Sequence, residues 1–178
     1  VTRGGKGTQY VDWVRVSPEH DFTHQFKLTG LEPATKYHLV IQARPTNSLR
    51  LTSEATGSFM TAPAPDESAN VSFTVVTGQD FLRRDDKRNG HVIYKHMLNL
   101  NPDFFVHTGD IVYYDRGEPA GDSVEDARKH WQRTYALPYQ RSFHMHTPAY
   151  FIKDDHDTLK NDCWPGQSYG DLTFAQGL

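Results

Sequence analysis

The stretch 101–115, NPDFFVHTGDIVYYD, constrains this chain more than any other. Asn101 and Pro102 interrupt whatever precedes them, and Phe104, Phe105 and Val106 make the short apolar run of a fully buried strand. Gly109 ends that strand and leaves Asp110 at its carboxyl end. In open α/β sheets the loops at that end converge on one crevice, and ligands bind there. Read alone, Asp110 is either a turn residue or, with Tyr113, one of a pair of hard oxygen donors for a metal ion.

The flanking sequence repeats the pattern. Val71, Phe73, Val75 and Val76 form a β-branched strand closed by Thr77 and Gly78, with Asp80 just past its end. Ile93, Met97 and Leu100 stand at helical spacing within 91–100. Strand, helix, strand is a βαβ unit, whose crossover implies a parallel pair. Ser123 is an N-cap candidate with Glu125 and Asp126 in the first turn, and Val124, Ala127, Trp131 and Tyr135 mark the face of a helix ending near Leu137 and Pro138. A third strand over 149–152 ends in Asp154, Asp155, His156 and Asp157. Successive strands thus end in acidic tips at Asp80, Asp110 and Asp155–His156. Carboxylates crowded at one sheet edge repel one another unless a cation sits among them, so the pattern points to a metal centre.

Composition removes other classes. The 178 residues are 37% hydrophobic and 23% charged, ordinary for a globular protein, and no run approaches a membrane span. A net charge of −3 offers no nucleic-acid surface. Cys163 is the only cysteine, so no internal disulfide forms. It has no basic neighbour and reads as inert. The chain shows no initiating Met and no signal peptide, and is read as a fragment of something longer.

The first part reads differently. Residues 10–16 alternate imperfectly, 22–28 alternate better, Tyr37, Leu39, Ile41 and Ala43 share one face, and 57–65 read as a last strand. Short strands separated by turns suggest an all-β sandwich. Leu31, Pro33 and Tyr37 resemble the tyrosine corner of fibronectin type III domains, in which the phenol bonds back to upstream backbone. Such a domain takes about 100 residues, so 1–63 are expected to form a partial module serving as spacer or docking surface. The Pro-rich stretch 64–70 is read as a linker, and 71–178 as a second, α/β domain.

Three blocks of that second domain, 72–80, 101–115 and 151–162, resemble the metallophosphoesterase superfamily, closest to its alkaline phosphatase D family and more distantly to purple acid phosphatases. HTGDIVYYD is similar to that family's Gly-Asp-x-x-Tyr block, and KDDHD to its Asp-Asp-His-Glu block. A fibronectin-like module ahead of the catalytic domain also fits. The resemblance implies a two-metal hydrolase of phosphoesters, monoesters or diesters, cleaved by metal-activated hydroxide. Carried over, Asp110 bridges the metals, Tyr113 ligates one of them as a phenolate, Asp155 stands at the superfamily's metal-binding Asn, and His156 lies near the substrate oxygen as the catalytic residue. Asp154, Asn161 and Asp162 would support these ligands. The resemblance suggests Fe and Ca, with Zn or Mn also compatible with the donors. It further implies a phosphoester small molecule or lipid as substrate and a periplasmic or secreted location.

The chain departs from the pattern at Gly78, where the family carries a Cys that ligates iron. Asp80 is the candidate to replace it. Further family ligands come from sequence beyond Leu178, so 71–178 read as the N-terminal half of the catalytic domain. His144 and His146 form a His-x-His spacing that reads as a solvated connector, and Arg128 and Arg133 are candidates to reach a substrate phosphate. The competing function is a non-catalytic binding or scaffold protein with a degenerate domain of the same kind.

Overall fold

The computed structural model describes residues 8–178 and, before them, the backbone of the short strand β1 (Thr2–Arg3). The chain forms two compact units, Val1–Asn70 and Val71–Leu178.

In the first unit, β2 (Lys36–Ala43) and β3 (Ser53–Met60) pair antiparallel along their whole length, and β1 pairs with β2. The sheet is three-stranded in the order β1-β2-β3. Tyr37 is buried, and its ring stacks on that of its cross-strand partner Phe59 with centroids 5.6 Å apart. Its phenol oxygen accepts the Glu32 amide at 2.8 Å, while Thr61 Oγ1 donates to Glu32 O at 2.6 Å. The chain entering β2 is thereby tied to the chain leaving β3.

The strands expected over 10–16 and 22–28 do not form. A strand needs a neighbouring strand for its backbone polar groups, and among the described residues none pairs with these segments; Val11, Trp13, Val16, Phe22 and Phe26 remain exposed. The expected two-sheet sandwich is therefore one antiparallel sheet among the described residues. The last strand begins at Ser53 and stops at Met60, because its extent follows pairing with β2, not its own hydrophobicity.

The second unit is built on β4 (Phe73–Val76), β5 (Phe104–His107) and β6 (Ala149–Phe151), parallel and in that order. Val76 stands opposite His107, and His107 opposite Phe151, so the carboxyl ends lie in line. Helix α1 (Ile93–Leu100) crosses from β4 to β5; α2 (Val124–Tyr135) and α3 (Pro138–His144) cross from β5 to β6. The chain closes with the small hairpin β7 (Ser168–Tyr169) and β8 (Leu172–Thr173) and the short helix α4 (Phe174–Gly177).

Two apolar clusters hold this unit. Phe105 packs with Tyr94 and Met97 of α1 and Phe143 of α3, all buried. The Phe105 and Phe143 rings meet edge-on at 5.2 Å. The second cluster joins Ile111, Val112 and Tyr114 to Ala127 of α2 and to Leu159 and Leu172, with Val124, Trp131 and Tyr135 packed against it. The residues that follow Asp110 are thus core anchors. Ser123 caps α2, its Oγ accepting the Asp126 amide at 3.1 Å.

The run 104–106, expected to be buried throughout, is covered on one face only. Phe105 lies under α1 and α3, whereas Phe73, Val75 and Tyr150 on the opposite face are exposed and Phe104 and Val106 half-buried. The connector expected around His144 is instead helix α3, because Pro138, read as a stop, occupies the first helical turn, where its missing N–H costs nothing. His144 sits among the rings of Phe105, Tyr135, Phe143 and Phe151, and His146 is exposed with Nδ1 on Ser142 O.

Candidate metal centre

The loops that leave the strand ends are fastened to one another through their backbones. Thr108 N donates to Val76 O at 2.9 Å, Gly78 N to Gly109 O at 3.1 Å, and Gln79 N to Asp110 O at 2.9 Å. On the other side Ile152 N donates to His107 O at 3.0 Å and Tyr114 N to His156 O at 3.2 Å. Gly109 is required here. A Cβ on it would fall 2.5 Å from Asp154 Cβ, and its φ of +106° is one that side chains rarely allow. Asp110 itself is left-handed at φ 57°, a conformation Asp tolerates better than most residues. Asp157, fully buried, pins the junction: its Oδ2 accepts the Ile111 amide at 2.9 Å and its Oδ1 the Asp154 amide at 2.6 Å.

This framework gathers Asp110, Asp155 and His156, whose donor atoms lie within 4.8 Å of one another. Tyr113 joins them, its hydroxyl donating to Asp110 Oδ2 at 3.0 Å and its ring 4.5 Å from the His156 ring. Asp110 Oδ1 is buried without a hydrogen-bond partner. A buried carboxylate oxygen left unpaired is costly, and a cation is the partner that the surrounding oxygen and imidazole donors suit. Burial, then the hydrogen bond to Asp110, hold the Tyr113 phenol protonated well above the ordinary tyrosine range. A phenolate at this position therefore requires a cation beside it.

His156 is oriented by a residue that the sequence reading passed over. Its Nδ1 lies 2.7 Å from Asp115 Oδ1, and the other Asp115 oxygen accepts the Asn161 amide at 3.1 Å. An ionised carboxylate only accepts, so Nδ1 carries the proton and the lone pair of a neutral His156 is on Nε2. Asp115 closes the stretch 101–115, and its carboxylate so near Asp110 and Tyr113 was the available signal. Gln79 was missed as well: buried, it takes the Tyr94 hydroxyl on Oε1 and so locks the loop after β4 to α1.

Other expected residues stand elsewhere. Asp80 is outside the cluster: Oδ1 caps a short 3-10 turn through the Leu82 amide at 2.9 Å, and Oδ2 receives Arg116 Nη1 at 3.2 Å. It does not fill the space beside Gly78. A Cβ at Gly78 would lie 3.3 Å from Tyr113 Oη with nothing else within 4 Å, so this glycine leaves room directly next to the phenol. Asp154 Oδ1 accepts the Asp155 amide at 2.9 Å, and Asn161 Nδ2 bonds Asp162 Oδ2 at 2.6 Å. Cys163 packs against the second cluster with its thiol toward Asp155 O at 3.4 Å. Arg128 is exposed on α2, whereas Arg133 is half-buried against the Phe81 ring with Nη1 on Glu118 O at 3.2 Å.

A parallel sheet whose strand ends gather two aspartates, a tyrosine and a histidine offers a set of oxygen and nitrogen donors that suits a metal ion. Residues 73–174, more than half of the chain, match the family described as PhoD-like phosphatase, and the chain belongs to that family. Two solved structures share the fold. The structure of PhoD matches with a TM-score of 0.60 at 19% identity, over 83% of this chain and 29% of that one. The purple acid phosphatase PPD1 from yellow lupin (Lupinus luteus) seeds matches with a TM-score of 0.51 at 19% identity, over 84% of this chain and 25% of that one. The chain therefore spans less than a third of either structure's length. No curated protein sequence matches it.

Proposed function

We propose that the protein is a metal-dependent phosphoester hydrolase whose centre is held by Asp110, Tyr113, Asp155 and His156. Membership of a phosphatase family supports the reaction class. The observation that carries the metal is Asp110, with one buried oxygen unpaired and the other on Tyr113, beside Asp155 and His156. When bound, a pair of such ions activates water near neutral pH and neutralises phosphoryl oxygens. The chain's own groups do the rest. Asp110, bonded to Tyr113 and grouped with Asp155 and His156, would serve as the shared ligand. His156, held by Asp115, presents Nε2 either as a ligand or, protonated, as a donor to the leaving oxygen. The substrate is a phosphoester, small molecule or lipid, met outside the cytoplasm. The first unit serves as a spacer ahead of the catalytic domain, a reading supported by its forming a compact unit with a sheet of its own.

Asp110→Asn in the intact protein tests this. Expected are loss of bound metal by elemental analysis and turnover of p-nitrophenyl phosphate near background. Metal content and turnover within a few-fold of the parent would overturn the assignment of the centre, and a parent without turnover or bound metal would favour the scaffold reading.

A further inference from the structure

We infer that Arg116 is the residue that receives the phosphoryl oxygens of the substrate, that Asp80 holds it in place, and that the site consequently prefers phosphate monoesters to diesters. The inference rests on the hydrolase reading above and adds a substrate-binding residue and a substrate class to it.

Arg116 lies one aromatic ring from the centre. Its guanidinium carbon stands 4.5 Å above the Tyr113 ring, and that tyrosine's hydroxyl is the one bonded to Asp110 Oδ2. The arginine is also held by Asp80, whose Oδ2 accepts Nη1 at 3.2 Å. The Asp80 side chain is only 10% exposed and is itself held by the Leu82 amide, while the Arg116 side chain remains 39% exposed. A buried, anchored carboxylate and a stacked ring hold a cation whose outer edge is open to solvent. A guanidinium carries five donors, and the described side-chain hydrogen bond, to Asp80, engages Nη1 alone.

The charges around Asp80 favour an anion. Arg83 Nε lies 3.7 Å from the same carboxylate oxygen, and Arg84 and Arg133 both cover the Phe81 ring, at 3.9 and 4.6 Å. Two guanidinium groups thus share one carboxylate, and two more lie over the neighbouring Phe81 ring. Arginine matches phosphate through paired N–H donors. A monoester has three non-ester oxygens, enough to serve both a guanidinium fork and the centre. A diester has two and must give one of them up.

The test compares Arg116→Gln and Arg116→Lys with the exposed Arg141→Gln as control, in the intact protein. Readouts are KM and kcat on p-nitrophenyl phosphate and bis-p-nitrophenyl phosphate, inorganic phosphate affinity by calorimetry, and metal content. Losing a charge-assisted contact is expected to raise the monoester KM and weaken phosphate binding by about ten-fold or more. The monoester-to-diester ratio of kcat/KM should fall, with metal content unchanged. Arg116→Lys should recover part of the affinity, and Asp80→Asn should move in the same direction as Arg116→Gln by a smaller factor. Phosphate affinity and KM within two-fold of the parent, or a loss of metal in Arg116→Gln, would overturn the role. Asp110→Asn run alongside separates the two readings. If it abolishes turnover while Arg116→Gln is silent, only the Arg116 assignment falls; if it stays active, the proposed centre at Asp110 falls.

Discussion

At the scale of single residues, Asp115 shows how the imidazole of the proposed centre is oriented. It touches neither Asp110 nor Asp155 in any described contact, yet its 2.7 Å approach to His156 Nδ1 leaves Nε2 as the nitrogen with the free lone pair in the neutral ring. Partners of this kind typically matter 10–100-fold in metal affinity or activity. Asp115→Asn is expected to lower kcat by about that range, because an amide can hold the ring in either tautomer. Steady-state kinetics with the metal content measured on the same sample checks this. An unchanged kcat would show that the ring is oriented by its neighbours without the carboxylate.

At the scale of elements, the centre is a product of loop interlocking at the ends of β4, β5 and β6. Much of this order was legible. The apolar runs, the N-cap at Ser123 and the spacing of Ile93, Met97 and Leu100 each marked an element that forms, since short-range physics governs all three. Helix α3 was not legible, because a proline after an apparent helix end reads equally as a stop or as a new start. The strands over 10–16 and 22–28 were misread because alternation reports a face, not the presence of a partner. Ser123→Ala should cost about 1 kcal/mol, the usual worth of such a cap. Urea unfolding of the two proteins measures it. Turnover of the folded fraction should be unaltered, since the cap touches no residue of the centre.

At the scale of the whole molecule, buried histidines give the fold an acid limit. His107 is fully buried with neither ring nitrogen partnered, and burial, then His144, pushes it down from 6.5 to about 4. Burial alone does the same to His144, also to about 4. Both are neutral in the fold and gain protons more readily once unfolded. Their contribution is therefore intact above pH 6.5 and is lost as pH falls from 6.5 toward 4. His91 and His130, lowered chiefly by burial, act in the same direction. Asp157, raised by burial, opposes them with a slope of the other sign above 3.8. The urea midpoint is expected to drop across that acid window, and His107→Phe to flatten the drop. A parent midpoint that is level from pH 6.5 to 4 would contradict this account.

The chain by itself determined the parallel strands, the helices α1 and α2, and the acidic residues at the strand ends, because periodicity, capping and Gly-terminated runs are local properties. It also carried the family resemblance in its HTGDIVYYD and KDDHD blocks. Only the tertiary structure decided which acidic tips meet. Asp110 and Asp155 converge because backbone bonds lock their loops together, whereas Asp80, equally well placed in sequence, is drawn to Arg116 and the Leu82 amide. A carboxylate pairs with whichever donors the packed chain brings within reach, and that reach is set by contacts between residues far apart in sequence.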